Sequence, residues 1–354
     1  MSLQRTILFD SHLAAGGRIV PFAGWEMPVQ YAGVLPEVRA VRQSCGVFDV
    51  SHMARFSVRG ADVAGALNRI VSADWSAVPN NTAAYALLLN QSGGVLDDVM
   101  GYHVGEDHWD IVSNASRAAV VEAHLKKHLP ASVELENRTS QTAMLAIQGP
   151  RAVEILSAHG NLPQEFGWRR YYQVELFDIQ GWLARGGYTG SDGFEFIFAA
   201  ADAPDVWARL LELGVMPCGL GARDVLRLEA GLPLYGHELR ENWTPAESGT
   251  GWAVKFDKGE FIGRAGAQRT PTQKIVALQM DGKGIPREGY PLAQNGAVIG
   301  EITSGTLSPT LGAGIALAAC KVPLQVGVAV NVMVRGSAHA ARVVKKPFVP
   351  HQRG

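Results

Sequence analysis

Cysteine is scarce. There are three in 354 residues, Cys45, Cys218 and Cys320, far apart and none in a CxxC pair. That argues against a disulfide framework or a cysteine-rich zinc site and for a reducing, cytoplasmic setting. Long hydrophobic runs are also missing: no stretch of about 18 apolar residues occurs, so no membrane span is expected. The opening MSLQRTILFDSHLAAGG has no continuous apolar segment of the signal-peptide kind. Nor is there an excess of one charge. The 32 basic and 33 acidic residues leave a formal net charge of −1, whereas nucleic-acid binders usually carry a basic excess or stripe. The nearest approach to a basic run, Arg342-Val-Val-Lys345-Lys346, is short. Nucleotide signatures are absent too: GLGARD is not a dinucleotide fingerprint, and there is no Walker A motif.

What is present is glycine, 40 residues spread through a chain that is 47% hydrophobic, which suggests many tight turns in a globular protein. From Thr82, TAAYALLLN, VLDDVMGYHV and GEDHWDIVSN read as three consecutive antiparallel strands joined by short turns. A helix follows, with Ala118, Val121, Leu125 and Leu129 at helical spacing and Asn114 where an N-cap would stand. TAMLAIQGPRAVEILSAHG reads as strand, Gly-Pro turn and a helix starting at or near Pro150. APDVWARLLELG and GARDVLRLEAG read as helices, the second stopped by Gly231. The texture changes near Trp243. From Lys274 the chain becomes short strands and turns, with a hairpin signal at Asn295-Gly296.

Four stretches could carry chemistry. NQSGGVLDDVMGY places two adjacent carboxylates, Asp97 and Asp98, inside an apolar run, where a buried carboxylate is costly unless hydrogen-bonded or paired. Strand alternation puts Val95, Asp97 and Val99 on one face and Leu96, Asp98, Met100 and Tyr102 on the other. Only one carboxylate can then face a given cavity, and the pattern does not choose which. GGYTGSDGFE (186–195) is either a plain hairpin turn or a loop that lets a ligand approach closely; it lacks the ligand spacing of a calcium loop. Arg223 and Arg227, four apart on one helix face, either bind an anion or pair with nearby carboxylates. FDVSH (48–52) holds Asp, Ser and His together, but triads are assembled in space rather than from such neighbours. His12, His52 and His237 are too scattered for a metal cluster.

Several motifs occur in order along nearly the whole chain: VPFAGWEMPVQY (20–31), GVFDVSHM (46–53), GGVLDD (93–98) and LAIQGP (145–150). They continue with GYTGSDGFE, GLGARDVLRLEAGLPLYGHEL, GWAVKFDKGEFIGR and GEITSGTLSPTLG. In joint order and spacing the chain closely resembles the aminomethyltransferase, or T-protein, family of the glycine cleavage system. The resemblance implies an α+β fold of three domains arranged like a clover leaf around a central folate cavity, with antiparallel sheets, flanking helices and a β-rich C-terminal domain. On this chain the expected division is 1–54 with 140–242 as a discontinuous first domain, 55–139 as an insertion carrying the GG-x-x-DD motif, and 243–354 as the third.

The implied reaction moves an aminomethyl carbon from the dihydrolipoyl arm of a lipoylated H-protein to tetrahydrofolate as co-substrate, with no metal. The products are 5,10-methylenetetrahydrofolate and ammonia. Residue by residue, the resemblance makes Asp98 the essential carboxylate, with Leu96, Met100 and Tyr102 lining its pocket and Asp97 pointing away, so that Asp97→Asn costs little. Glu195 matches a pterin-binding acid and Arg223 a folate-contacting arginine. Met53, Tyr85, Tyr102 and Tyr188 pack on the ligand's rings. Asn114 is either a ligand-adjacent residue or a cap. Ser191 and Trp243 depart from the family pattern. A cytoplasmic monomer is expected. The alternatives on this scaffold are a folate-dependent demethylase and a non-catalytic folate-binding protein; against the latter, DKGEFIGR lacks the cysteine such proteins carry.

Overall fold

The computed structural model describes residues 2–352, and they form an α+β protein with antiparallel sheets, as expected. The three strands read from Thr82 onward are Thr82–Leu89, Val95–Gly105 and His108–Ser113. With Ala54–Arg59 and Glu134–Asn137 they make a five-stranded antiparallel sheet. Helix Ala118–His128 covers it and buries Val121 and Leu125, and the stacked indoles of Trp75 and Trp109, 4.8 Å between centroids, fill the space beneath.

A six-stranded sheet takes one strand, Gly46–Asp49, from before that block and the rest from after it. Its strand Thr142–Gln148 is buried at every position, which is why TAMLAIQ carries no alternation: both faces are covered. One face packs Leu145, Phe194 and Trp207; the other packs Met144 and Ala146 against Tyr102 and Leu226. The helix after the Gly-Pro turn begins at Ala152, two residues beyond Pro150, and ends at Ser157.

The β-rich tail closes into a six-stranded barrel over 274–344. Asn295 (φ 49°) and Gly296 (φ 80°) both take the left-handed conformation that a two-residue hairpin turn requires. The change of texture at Trp243 does not mark the start of the barrel, however. Ala253, Val254, Phe261 and Ala267 pack on Leu87, Leu89 and Val95 of the five-stranded sheet. Helix Leu220–Glu229 joins the six-stranded sheet to the barrel, with Leu228 packed among Ala277, Ile315 and Leu317. Strand Val95–Gly105, strand Gly193–Ala199 and this helix thereby converge on one space.

Candidate active site

That space is a cavity of about 730 Å³. Asp98, Met53, Tyr85, Tyr102, Asn114, Tyr188, Glu195 and Arg223 all border it. Eight positions spread over 171 residues of chain thus meet around a single volume.

The carboxylate strand is positioned by its turn. Asn90 Oδ1 accepts from the backbone N–H of Ser92 and of Gly94 at 3.0 and 2.9 Å. Gly94 has no room for a side chain, since a Cβ there would stand 1.7 Å from the Glu241 carbonyl oxygen. Just beyond, the strand bulges: Leu88 faces Asp97 but Leu89 faces Val95, leaving Leu96 without an opposite residue. The bulge overturns the simple alternation at its start. Val95 turns to the side of Leu87 and Leu89, while Leu96 packs against the core beneath the sheet and does not border the cavity. Past the bulge the pairing keeps Asp98 and Met100 on one side of the sheet; both border the cavity, as does Val99, while Asp97 is fully buried outside it.

Asp98 is held at both oxygens. Tyr85 donates its hydroxyl to Oδ2 at 3.1 Å, and Asn114 Nδ2 donates to Oδ1 at 2.7 Å. Asp97 does not merely point away. It accepts Asn114 Nδ2 at 2.8 Å on Oδ1 and the Asn114 backbone N–H at 3.1 Å on Oδ2. Asn114 stands at the N-cap of a short 3₁₀ turn, with its side chain spent on the two carboxylates and none of it on the cap. Burial pushes both carboxyls up, Asp97 further because Asp98 lies beside it, and the Asn114 bonds work against that rise.

Elsewhere in the cavity stand Glu195 and Arg223, two partly buried charged groups without an ionic partner among the described residues. Glu195 accepts only the Tyr102 hydroxyl, at 3.3 Å, and burial raises its pKa against the pull of Arg223. The Arg223 guanidinium lies 4.7 Å over the Tyr188 ring and touches Met53 Sδ at 3.7 Å, with Nη1 buried and unbonded. Arg227, its neighbour one turn on, is fully engaged by Asp224, Glu238 and Ser304.

Two family descriptions match the sequence: the GCVT N-terminal domain over residues 8–258 and the glycine cleavage T-protein C-terminal barrel domain over 273–350. The chain belongs to the glycine cleavage T-protein family. It is 45% identical to an aminomethyltransferase of Deinococcus deserti over 351 residues, 98% of this chain and 97% of that one. It is 43% identical to one from Rubrobacter xylanophilus, covering 99% and 96%. Among solved structures it is similar to the glycine cleavage system aminomethyltransferase T from Bartonella henselae, with a TM-score of 0.93 at 32% identity and 99% of each chain covered.

Some cavity residues of this family member were not singled out from sequence as ligand contacts. His52 borders the cavity with Nδ1 buried and unbonded, and burial holds its pKa down at about 4. FDVSH is no triad: Asp49 binds His12 at 2.9 Å and Thr6 at 2.7 Å, while Ser51 Oγ donates to the Met144 carbonyl at 3.3 Å. Trp252, 63% exposed, stacks on Tyr85 at 5.3 Å and so lies next to the residue that holds Asp98. A lone tryptophan in GWAVKF gives no sign of this, because the contact joins residues 167 apart in sequence. The two departures have plain places: Ser191 Oγ accepts Arg42 at 2.8 Å, and the Trp243 carbonyl accepts the Val95 N–H at 3.1 Å.

Proposed function

We propose that this chain moves the aminomethyl carbon from the dihydrolipoyl arm of a lipoylated H-protein to tetrahydrofolate, giving 5,10-methylenetetrahydrofolate, ammonia and the free dithiol arm. The observation that carries the reading is two partly buried charges in one cavity, Glu195 and Arg223, without ionic partners among the described residues, with Asp98 bordering the same space. A pterin ring offers paired N–H donors, which suit a carboxylate, and a carbonyl acceptor, which suits a guanidinium. Such a ligand would satisfy both groups at once.

Asp98 then faces the reacting carbon. Breaking the C–S bond leaves an iminium-like carbon, which a folate amine attacks. Two N–H protons leave as the carbon bridges the two folate nitrogens, one going to the thiolate and one to ammonia. Positive charge builds on the transferred group and on the attacking nitrogen, and a carboxylate already fixed by Tyr85 and Asn114 stabilises it without reorganising. Its raised proton affinity also suits it to take a proton from the attacking amine. Met53, Tyr102 and Tyr188 provide the apolar and aromatic walls for the rings. The reading includes a cytoplasmic monomer; among the described residues no helix is long and apolar enough to cross a membrane.

The test is ammonia release from aminomethylated H-protein, with and without tetrahydrofolate. Strong folate-dependent release is expected. No release with tetrahydrofolate still bound would sink the transfer reading and leave a folate site serving another methyl donor or a binding role.

A further inference from the structure

Asp97 does not border the cavity, is fully buried, and has no cationic partner among the described residues. Such a group is expensive to keep. The groups around it are named easily. On its own strand Asp98 is adjacent. From the neighbouring strand comes Tyr85, and from the loop before Trp243 come Tyr235 and Glu241; Tyr85 and Tyr235 both sense the Asp97 charge. Arg117 is the cation on the segment leading to helix Ala118–His128. It donates Nε to the Leu96 carbonyl at 2.8 Å, pairs with Glu241, and lies 4.5 Å over the Tyr235 ring, so it is engaged elsewhere.

What Asp97 does hold is Asn114, by two bonds. The backbone N–H binds one carboxylate oxygen and Nδ2 binds the other. That fixes the amide plane, and the second Nδ2 hydrogen then points at Asp98 Oδ1, 2.7 Å away. We propose that Asp97 is a positioning residue for the transfer step, acting through the Asn114 amide to fix the orientation of the Asp98 carboxylate. The proposal rests on the aminomethyl-transfer reading of the cavity.

The arrangement also makes the link readable at Asp98. The hydrogen bonds from Asn114 favour its ionised form, while the repulsion between the two adjacent carboxylates falls on Asp97. Removing the amide, or the carboxylate that holds the amide in place, should therefore shift Asp98 in the same direction, towards its neutral form. An Asp97 that only packs would leave that shift to the loss of Asn114 alone.

The full chain, tetrahydrofolate and aminomethylated H-protein are used over about pH 5 to 9. Asp97→Asn keeps the volume and removes the charge; Asn114→Ala removes the bridging amide and leaves the charge. In both, kcat is expected to fall about 10- to 100-fold, with the donor KM and the tetrahydrofolate Kd within about threefold. The acidic limb of kcat should move to higher pH in both variants. An unmoved limb in Asp97→Asn, or a kcat within about threefold of the parent, overturns the proposal. If Asp97→Asn does not fold, Asn114→Ala decides alone: a kcat or limb equal to the parent's overturns the proposal. The ¹³C resonance of the Asp98 carboxyl, identified by its loss in Asp98→Asn, is titrated in parallel without donor. It should show the same upward shifts even if the parent releases no ammonia, a result that would sink the transfer reading but not the Asp97 linkage.

Discussion

At the scale of single residues, Asp98 combines a raised proton affinity with a fixed geometry, and an amide of the same shape can supply neither a charge nor a proton acceptor. Asp98→Asn is expected to lower kcat about 100- to 1,000-fold, with tetrahydrofolate affinity within about threefold, read by ammonia release and by calorimetry. His52 makes a prediction about pH and stability. Burial lowers its pKa from 6.5 to about 4, so the folded chain refuses a proton that the unfolded chain takes up. Its contribution is complete above about pH 6.5 and is lost as the pH falls towards 4, reaching about 3 kcal/mol. The urea midpoint of the parent should drop across that window, and His52→Gln should flatten the drop; equal slopes in the two proteins would count against it. Of these residues, Asp98 was legible as a motif position. His52 was not, since nothing in FDVSH says that its histidine reaches the cavity while its aspartate turns inward to His12.

At the scale of elements, the carboxylate strand depends on a turn and a bulge. Alternation read from the sequence gave the right side for Asp98 and Met100 but the wrong side for Leu96, because one unmatched residue reverses the parity of everything before it. The neighbouring Gly94 has a reason that only packing supplies: the Glu241 carbonyl oxygen occupies the place of its missing Cβ. Gly94→Ala should therefore cost about 1–3 kcal/mol and also lower kcat, because the strand that carries Asp98 must shift. Gly105→Ala, at the far end of the same strand with nothing within 4 Å of the added carbon, should leave thermal unfolding and kcat nearly unchanged. Similar losses in both variants would show that the close approach to Glu241 is not the cause.

At the scale of the whole molecule, helix Leu220–Glu229 ties the cavity to the barrel. One turn of it presents Arg223 to the cavity, and the next buries Arg227 and Glu229 against barrel hydroxyls. Glu229 pairs with Arg42 at 2.7 Å and accepts Ser308 Oγ at 2.5 Å and Thr310 Oγ1 at 3.0 Å. Removing it leaves Arg42 buried without its ion partner. Glu229→Ala is expected to cost about 3–5 kcal/mol in chemical denaturation. Glu154→Ala, which breaks an exposed pair with Arg151, should change nothing measurable. Comparable effects from the two would refute the role given to the buried pair.

The sequence by itself determined what short-range chemistry controls. Hydrophobic periodicity set the meander from Thr82 and the amphipathic helices, and an unbroken apolar run set the buried strand TAMLAIQ; turn chemistry set the Asn295-Gly296 hairpin, and motif order pointed to the family. The tertiary structure alone decided matters that hang on contacts between distant segments. It placed residues 253–267 on the five-stranded sheet rather than in the barrel and distinguished free Arg223 from engaged Arg227. It also turned Asn114 from an open choice between cap and ligand neighbour into the bridge between two carboxylates. The physical reason is one of range. A residue's backbone preference is settled by its neighbours along the chain, but the partner of a buried polar group is settled by whichever distant segment folding brings within about 3 Å.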